Sequence, residues 1–187
     1  FKKTCLSIDT RKSDVMIKGI QFGADIINDV SGFNFDKNSL VKTKKYNIAK
    51  VLHHMQGTPN TMQNNPKYKN VLLDIYDFFE ENISKNFENK KIIIDPGIGF
   101  GKNLKHNLTL ISKISLFHSL GFPILLGTSR KRFINQISGN YDSDDRTGGT
   151  IASVLFLMSQ GVQIFRVHNV NEVKQSILVF DKILSSL

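Results

Sequence analysis

The sequence predicts an α/β protein built as a TIM-type (β/α)8 barrel, of which about six βα units are present. Three observations predict it. Short β-branched runs alternate strictly with stretches of helical period. The strand runs are mostly apolar instead of alternating, as parallel strands covered on both faces are. A polar residue stands at or just past the C-terminal end of nearly every run, where a barrel gathers its functional groups on one rim. A doubly wound open sheet could also use six strands, but it would spread the same residues along an edge.

The first strand is expected over residues 5–9, with Cys5 as a small buried residue and Asp9 at the end. Thr10-Arg11-Lys12 then opens a helix. The second strand covers 25–28 and ends in Asn28; the third covers 48–53 and ends in His53. A helix burying Leu72, Ile75, Phe79 and Ile83 follows. The fourth strand, 92–95, ends in Asp95. One helix is then expected to bury Leu108, Ile111, Ile114 and Phe117 and to stop before Gly121 and Pro123. The fifth strand covers 124–127, and a helix over 150–160 ends at Gly161. The sixth covers 164–167, and the last helix carries Val170, Val173, Ile177, Phe180 and Leu184. With no linker or low-complexity segment, residues 1–187 read as one domain.

Composition removes several classes of function. There is no run of about 18 apolar residues, so no membrane span is expected. The segment Phe1-Lys2-Lys3-Thr4-Cys5-Leu6 lacks the long apolar stretch and cleavage site of a secretory signal, and it lacks an initiator Met, so an upstream part is expected to be missing. A single cysteine excludes an internal disulfide and fits a reducing, cytoplasmic setting. The net charge of +9 comes from scattered lysines (Lys42, Lys44, Lys45, Lys85, Lys90, Lys91) that read as solvated faces, without a nucleic-acid-binding signature.

The segment from Ile92 to Lys102, IIIDPGIGFGK, is the most informative. Pro96 holds Asp95 extended, and the glycines let backbone approach a ligand closely. Lys102 occupies the third glycine position of a dinucleotide fingerprint, and Pro96 stands where a P-loop begins, so neither motif is present. A strand-capping Asp and a flexible turn would explain the same residues without chemistry. Asp9 and Asn28-Asp29 have similar bland readings as cap and turn residues. Ser129-Arg130-Lys131-Arg132 places a basic cluster at a strand end, which is costly without an anionic partner. Arg166 and His168, two apart at the end of the last strand, share a face and form a candidate diphosphate clamp. His53 and His54 are adjacent, so they point to opposite faces and do not chelate one ion together. No Ser triad is recognisable.

Taken together, the segments Ser7-Ile8-Asp9-Thr10, Ile26-Ile27-Asn28-Asp29-Val30, His54 through Gln63 (HMQGTPNTMQ), Asp95 through Lys102, Gly127-Thr128-Ser129-Arg130-Lys131 and Arg166-Val167-His168 resemble the dihydropteroate synthase family, in its order and across essentially the whole chain. The resemblance implies a transferase that joins 6-hydroxymethyl-7,8-dihydropterin diphosphate to 4-aminobenzoate in folate biosynthesis, with Mg²⁺ as cofactor. It implies Asp9, Asp95 and Lys131 as catalytic residues. It implies a pterin pocket of Asp9, Asn28, Val30, Asp95, Gly99, Phe100, Leu125, Gly127 and Lys131, with Arg166 and His168 on the diphosphate. It also implies a homodimer through the late helices. Two departures stand out: His53 where the family often has Met, and Arg132 where some members have Ser. The family carries two further upstream βα units, whose loops supply an Asn toward Mg²⁺ and diphosphate and a Thr-Arg-Pro segment over aminobenzoate. No metal ligand is therefore expected in this chain, and alone it is expected to keep the pterin pocket but to catalyse weakly or not at all. The alternatives are a pterin-binding corrinoid methyltransferase domain, a non-catalytic pterin-binding fragment, or a phosphate-binding barrel enzyme of another pathway.

Overall fold

The computed structural model describes residues 4–87, 91–139 and 142–186. Phe1, Lys2, Lys3 and Lys90, which entered the reading of the N-terminus and of the solvated lysines, lie outside the described residues.

Among the described residues, six parallel strands appear where the β-branched runs predicted them: β1 (Ser7–Asp9), β2 (Ile26–Asp29), β3 (Ala49–His53), β4 (Ile92–Asp95), β5 (Leu125–Leu126) and β6 (Ile164–Phe165). The first four form one sheet in chain order, and β5 pairs with β6. A parallel bridge between Ile94 and Ile124 joins the two sheets into one arc of a TIM-type barrel. Helices α1 (Ser13–Gln21), α2 (Ser39–Thr43), α3 (Val71–Asn86), α4 (Leu104–Ser112), α5 (Arg132–Ser138), α6 (Thr147–Ser159) and α7 (Val170–Leu184) alternate with the strands. The main core lies between strands and helices, where Ile27, Leu52, Ile94 and Leu126 meet Ile75, Phe79, Leu110 and Phe117. A smaller apolar layer of Val51, Ile93 and Leu125 lies on the opposite, inner face.

The expected single helix through Leu108, Ile111, Ile114 and Phe117 is two elements. α4 ends at Ser112, and a 3-10 turn covers Ile114–Leu120. The reason is geometric. At about 100° per residue, positions nine apart fall on opposite sides of an α-helix, so Leu108 and Phe117 cannot share a face. The 3-10 period keeps Ile114 and Phe117 on the core stripe, while Leu108 is 39% exposed and Leu110 takes its place inside. In α7 only Val173 is fully buried; Val170 and Leu184 are exposed. Cys5 is also exposed and precedes the strand instead of lying on it. Its strand, β1, pairs on one side only among the described residues, so little covers its start.

Candidate functional site

The register of the strands decides which side chains meet. Asp9 pairs in register with Asn28, and His53 with Asp95. Val51, Ile93 and Leu125 line the inner layer two residues before His53, Asp95 and Gly127. Because strand side chains alternate, His53 and Asp95 share that inner face one step above the apolar layer, and Gly127 follows directly after β5. Leu125 is thus part of an apolar floor beneath the polar rim.

Asp95 sits at the centre and is 1% exposed. Its Oδ1 accepts from the Gly97 amide at 2.9 Å. Its Oδ2 faces Arg166 Nη2 at 3.5 Å and His53 Nε2 at 3.9 Å. Asn28 is buried and donates through Nδ2 to Asp9 Oδ2 at 2.8 Å, which brings the exposed Asp9 into the same group. Gly97 has φ 72°, and a Cβ there would lie 2.0 Å from the His54 carbonyl, so only glycine fits the turn that aims its amide at Asp95.

His53 Nδ1 lies 3.0 Å from the Val30 carbonyl. A carbonyl only accepts, so Nδ1 carries the proton, and the neutral ring presents Nε2 as an acceptor. Burial holds this imidazole down at about 4, against the opposing pull of Asp95. Phe100 meets His53 edge to face with centroids 4.6 Å apart. Over the same ring stands Lys131 Nζ, 4.2 Å from the centroid. Burial also lowers the Lys131 ammonium, with Asp95 acting in the opposite direction. The Lys131 stem crosses Gly99, where a Cβ would lie 3.2 Å from its Cδ. The guanidinium of Arg166 rests on Gly127, where a Cβ would approach Nη2 to 3.0 Å.

The basic cluster after β5 disperses instead of converging on the rim. Arg130, at φ 59°, donates to Asn169 Oδ1 and pairs with Asp144. Arg132 is exposed as the first residue of α5, and only Lys131 reaches Phe100. The partners of Arg130 lie 14 and 39 residues away, beyond the reach of local pattern reading. Arg166 and His168 are likewise drawn to different neighbours: Arg166 to Asp95, and His168 Nδ1 to Ser129 Oγ at 2.9 Å. β6 ends at Phe165, so strand alternation does not hold over 166–168.

Asn28 Oδ1, His53 Nε2 and Arg166 Nη1 are buried without a hydrogen-bond partner. Orphaned polar atoms are costly in a folded interior. Grouped around Asp95, these three atoms leave hydrogen-bonding capacity unmet at the strand ends. Two residues here stand in motifs that the sequence singles out but carry no role of their own there. Ser129 orients His168, and Lys102 is 3% exposed beside His54. The signal available for Lys102 was its place at the end of a glycine-rich loop. His54 turns away from His53, toward Phe78 and Lys102.

The model of the family described as "Pterin binding enzyme" matches residues 1–168. The dihydropteroate synthase of Escherichia coli K12 is 36% identical over 185 residues, covering 97% of this chain and 65% of that protein. The chain thus spans just under two thirds of that relative's length. A crystal structure of Yersinia pestis dihydropteroate synthase with a sulfonamide drug complex superposes with a TM-score of 0.93 at 34% identity, covering 99% of this chain and 68% of that one. The dihydropteroate synthase of Thermus thermophilus, in complexes with 6HMPPP and with 4-aminobenzoate, gives a TM-score of 0.91 at 33% identity in each; the match covers 97% of this chain in both, and 73% and 75% of those chains.

Proposed function

The chain belongs to the pterin binding enzyme family, and on that premise we propose that its protein is a dihydropteroate synthase. It transfers the pterin methylene of 6-hydroxymethyl-7,8-dihydropterin diphosphate to the amine of 4-aminobenzoate and releases diphosphate. The observation that carries the reading is the set of buried, unpartnered polar atoms grouped with Asp95. A flat heterocycle with donors and acceptors on its edge completes it.

Asp95 accepts the donor edge of the pterin through Oδ2, while the Gly97 amide fixes Oδ1. Asn28 offers Oδ1 beside it, and Asp9 places negative charge where the cationic methylene develops. Phe100 walls the ring, and Lys131 marks the side from which aminobenzoate approaches. Val30, Gly99, Leu125 and Gly127 complete the pterin wall and floor. Arg166 leaves Asp95 when the pterin enters and turns its charge, with His168, toward the diphosphate.

Mg²⁺ would neutralise part of the diphosphate charge. Among the described residues no group of three His, Cys, Asp or Glu is placed to hold a metal ion. No helix among the described residues is long and apolar enough to cross a membrane. A cytoplasmic location and a homodimer through the exposed apolar surface of α7, including Leu178, Val179 and Ile183, belong to the same proposal.

The test is calorimetry with 6-hydroxymethyl-7,8-dihydropterin diphosphate. Saturable binding is expected, weakened about 100-fold in Asp95→Asn, since a hydrogen bond to a charged group contributes up to about 3 kcal/mol. No binding, or equal binding by the variant, overturns the assignment of the site. Diphosphate release dependent on 4-aminobenzoate, assayed on the full-length protein, tests the transfer.

A further inference from the structure

We propose that Lys102 is a positioning residue: it fastens the loop after β4 to the loop after β3 and thereby fixes the place of Phe100. The HMQGTPNTMQ segment after β3 has no part in the chemistry described above, yet it is tied repeatedly to the glycine-rich loop. Lys102 Nζ donates to the Phe100 carbonyl at 2.9 Å and to His54 Nδ1 at 3.0 Å. Gln63 Nε2 donates to the Gly99 carbonyl at 2.7 Å. Tyr68 Oη donates to the Gly101 carbonyl at 2.8 Å. Three consecutive carbonyls, 99 to 101, are therefore held by one neighbouring loop and by Lys102. Phe100 is the residue at their centre, and its ring lies between His53 and Lys131.

Lys102 is the buried member of this clamp. No carboxylate is within ion-pair distance of it among the described residues. Burial brings its ammonium down to about 7, with Asp95 opposing and Lys131 adding to the effect. Both the charged and the neutral amine keep at least two N–H donors, so both ties persist through neutral pH. A lysine buried at this cost, with one partner directly after β3 and the other in the middle of the loop after β4, serves the geometry of the loop and not a surface charge. The consequence for catalysis rests on the proposed function; the positioning itself does not.

The chain has no tryptophan, so Phe100→Trp makes a single reporter at the residue in question. Adding Lys102→Met is expected to shift its emission to the red and to lower its anisotropy. Lys102→Arg, which keeps donors, restores most of both, and emission stays flat between about pH 6 and 8. In the otherwise wild-type full-length protein, Lys102→Met raises KM for 4-aminobenzoate about tenfold and leaves kcat within about twofold. Unchanged emission in Lys102→Met overturns the proposal, even where the melting temperature falls, because the residue then only supports the fold. Should Lys102→Met not fold, Tyr68→Phe and Gln63→Ala report on the same clamp, with smaller shifts of the same sign expected; no shift in both overturns it. A shifted emission in a protein without transfer activity leaves the positioning standing and sinks the functional reading instead.

Discussion

The two faces of the same strands follow different physical rules. On the outer face, Ile27, Leu52, Ile92, Ile94 and Leu126 enter a continuous apolar core with the helices. On the inner face, Val51, Ile93 and Leu125 make a thin apolar layer, and the next residues up are His53, Asp95 and Gly127. The outer face removes apolar area from water and holds the fold together. The inner face buries polar groups whose partners are incomplete, which costs stability and leaves hydrogen-bonding capacity unmet. A barrel can carry this division because each strand shows alternate residues to its two faces, so the site can change without repacking the helices.

Truncation on each face tests this division. Ile94→Ala on the outer face should cost roughly 4 kcal/mol, read as a lowered urea midpoint, because Ile94 is fully buried in the large core. A cost below about 1 kcal/mol would show that the helices do not depend on this face.

The next effect comes from acid. His53 is neutral in the fold, its value held at about 4, whereas an unfolded histidine titrates at its ordinary 6.5. As pH falls from about 6.5 to 4, the unfolded chain takes up a proton that the fold refuses, so stability is full above that window and is lost within it. The loss approaches about 3 kcal/mol. His54, held at about 2, adds in the same direction. His53→Met should therefore reduce the acid slope of the unfolding midpoint without abolishing it. An unchanged slope would mean that His53 is not shielded from water as the inner face requires.

The smallest effect is expected from Val51→Ala, at about 2 kcal/mol by denaturant titration, because its layer is thin although the residue is fully buried. If this variant loses as much as Ile94→Ala, the inner layer is a structural core in its own right and the division of labour fails.

Much of the molecule is determined by local sequence. The six strands follow from β-branched runs, and the starts of α3 and α4 follow from the Asn70 cap and from the capping box of Asn103 with His106. The polar ends of the strands are also legible, because the period of two puts Asp95 on the same face as Ile93 wherever the strand lies. What only tertiary structure decided is which charged groups find partners. Arg130 looked like a rim cation until Asn169 and Asp144 claimed it, and Lys102 looked like a failed motif until His54 and the Phe100 carbonyl surrounded it. Leu108 likewise lost its place in the core to Leu110 when the helix changed period. Backbone periodicity is a property of neighbours in the chain, whereas burial and pairing of charge depend on distances between loops that the chain brings together only when the sheet has formed.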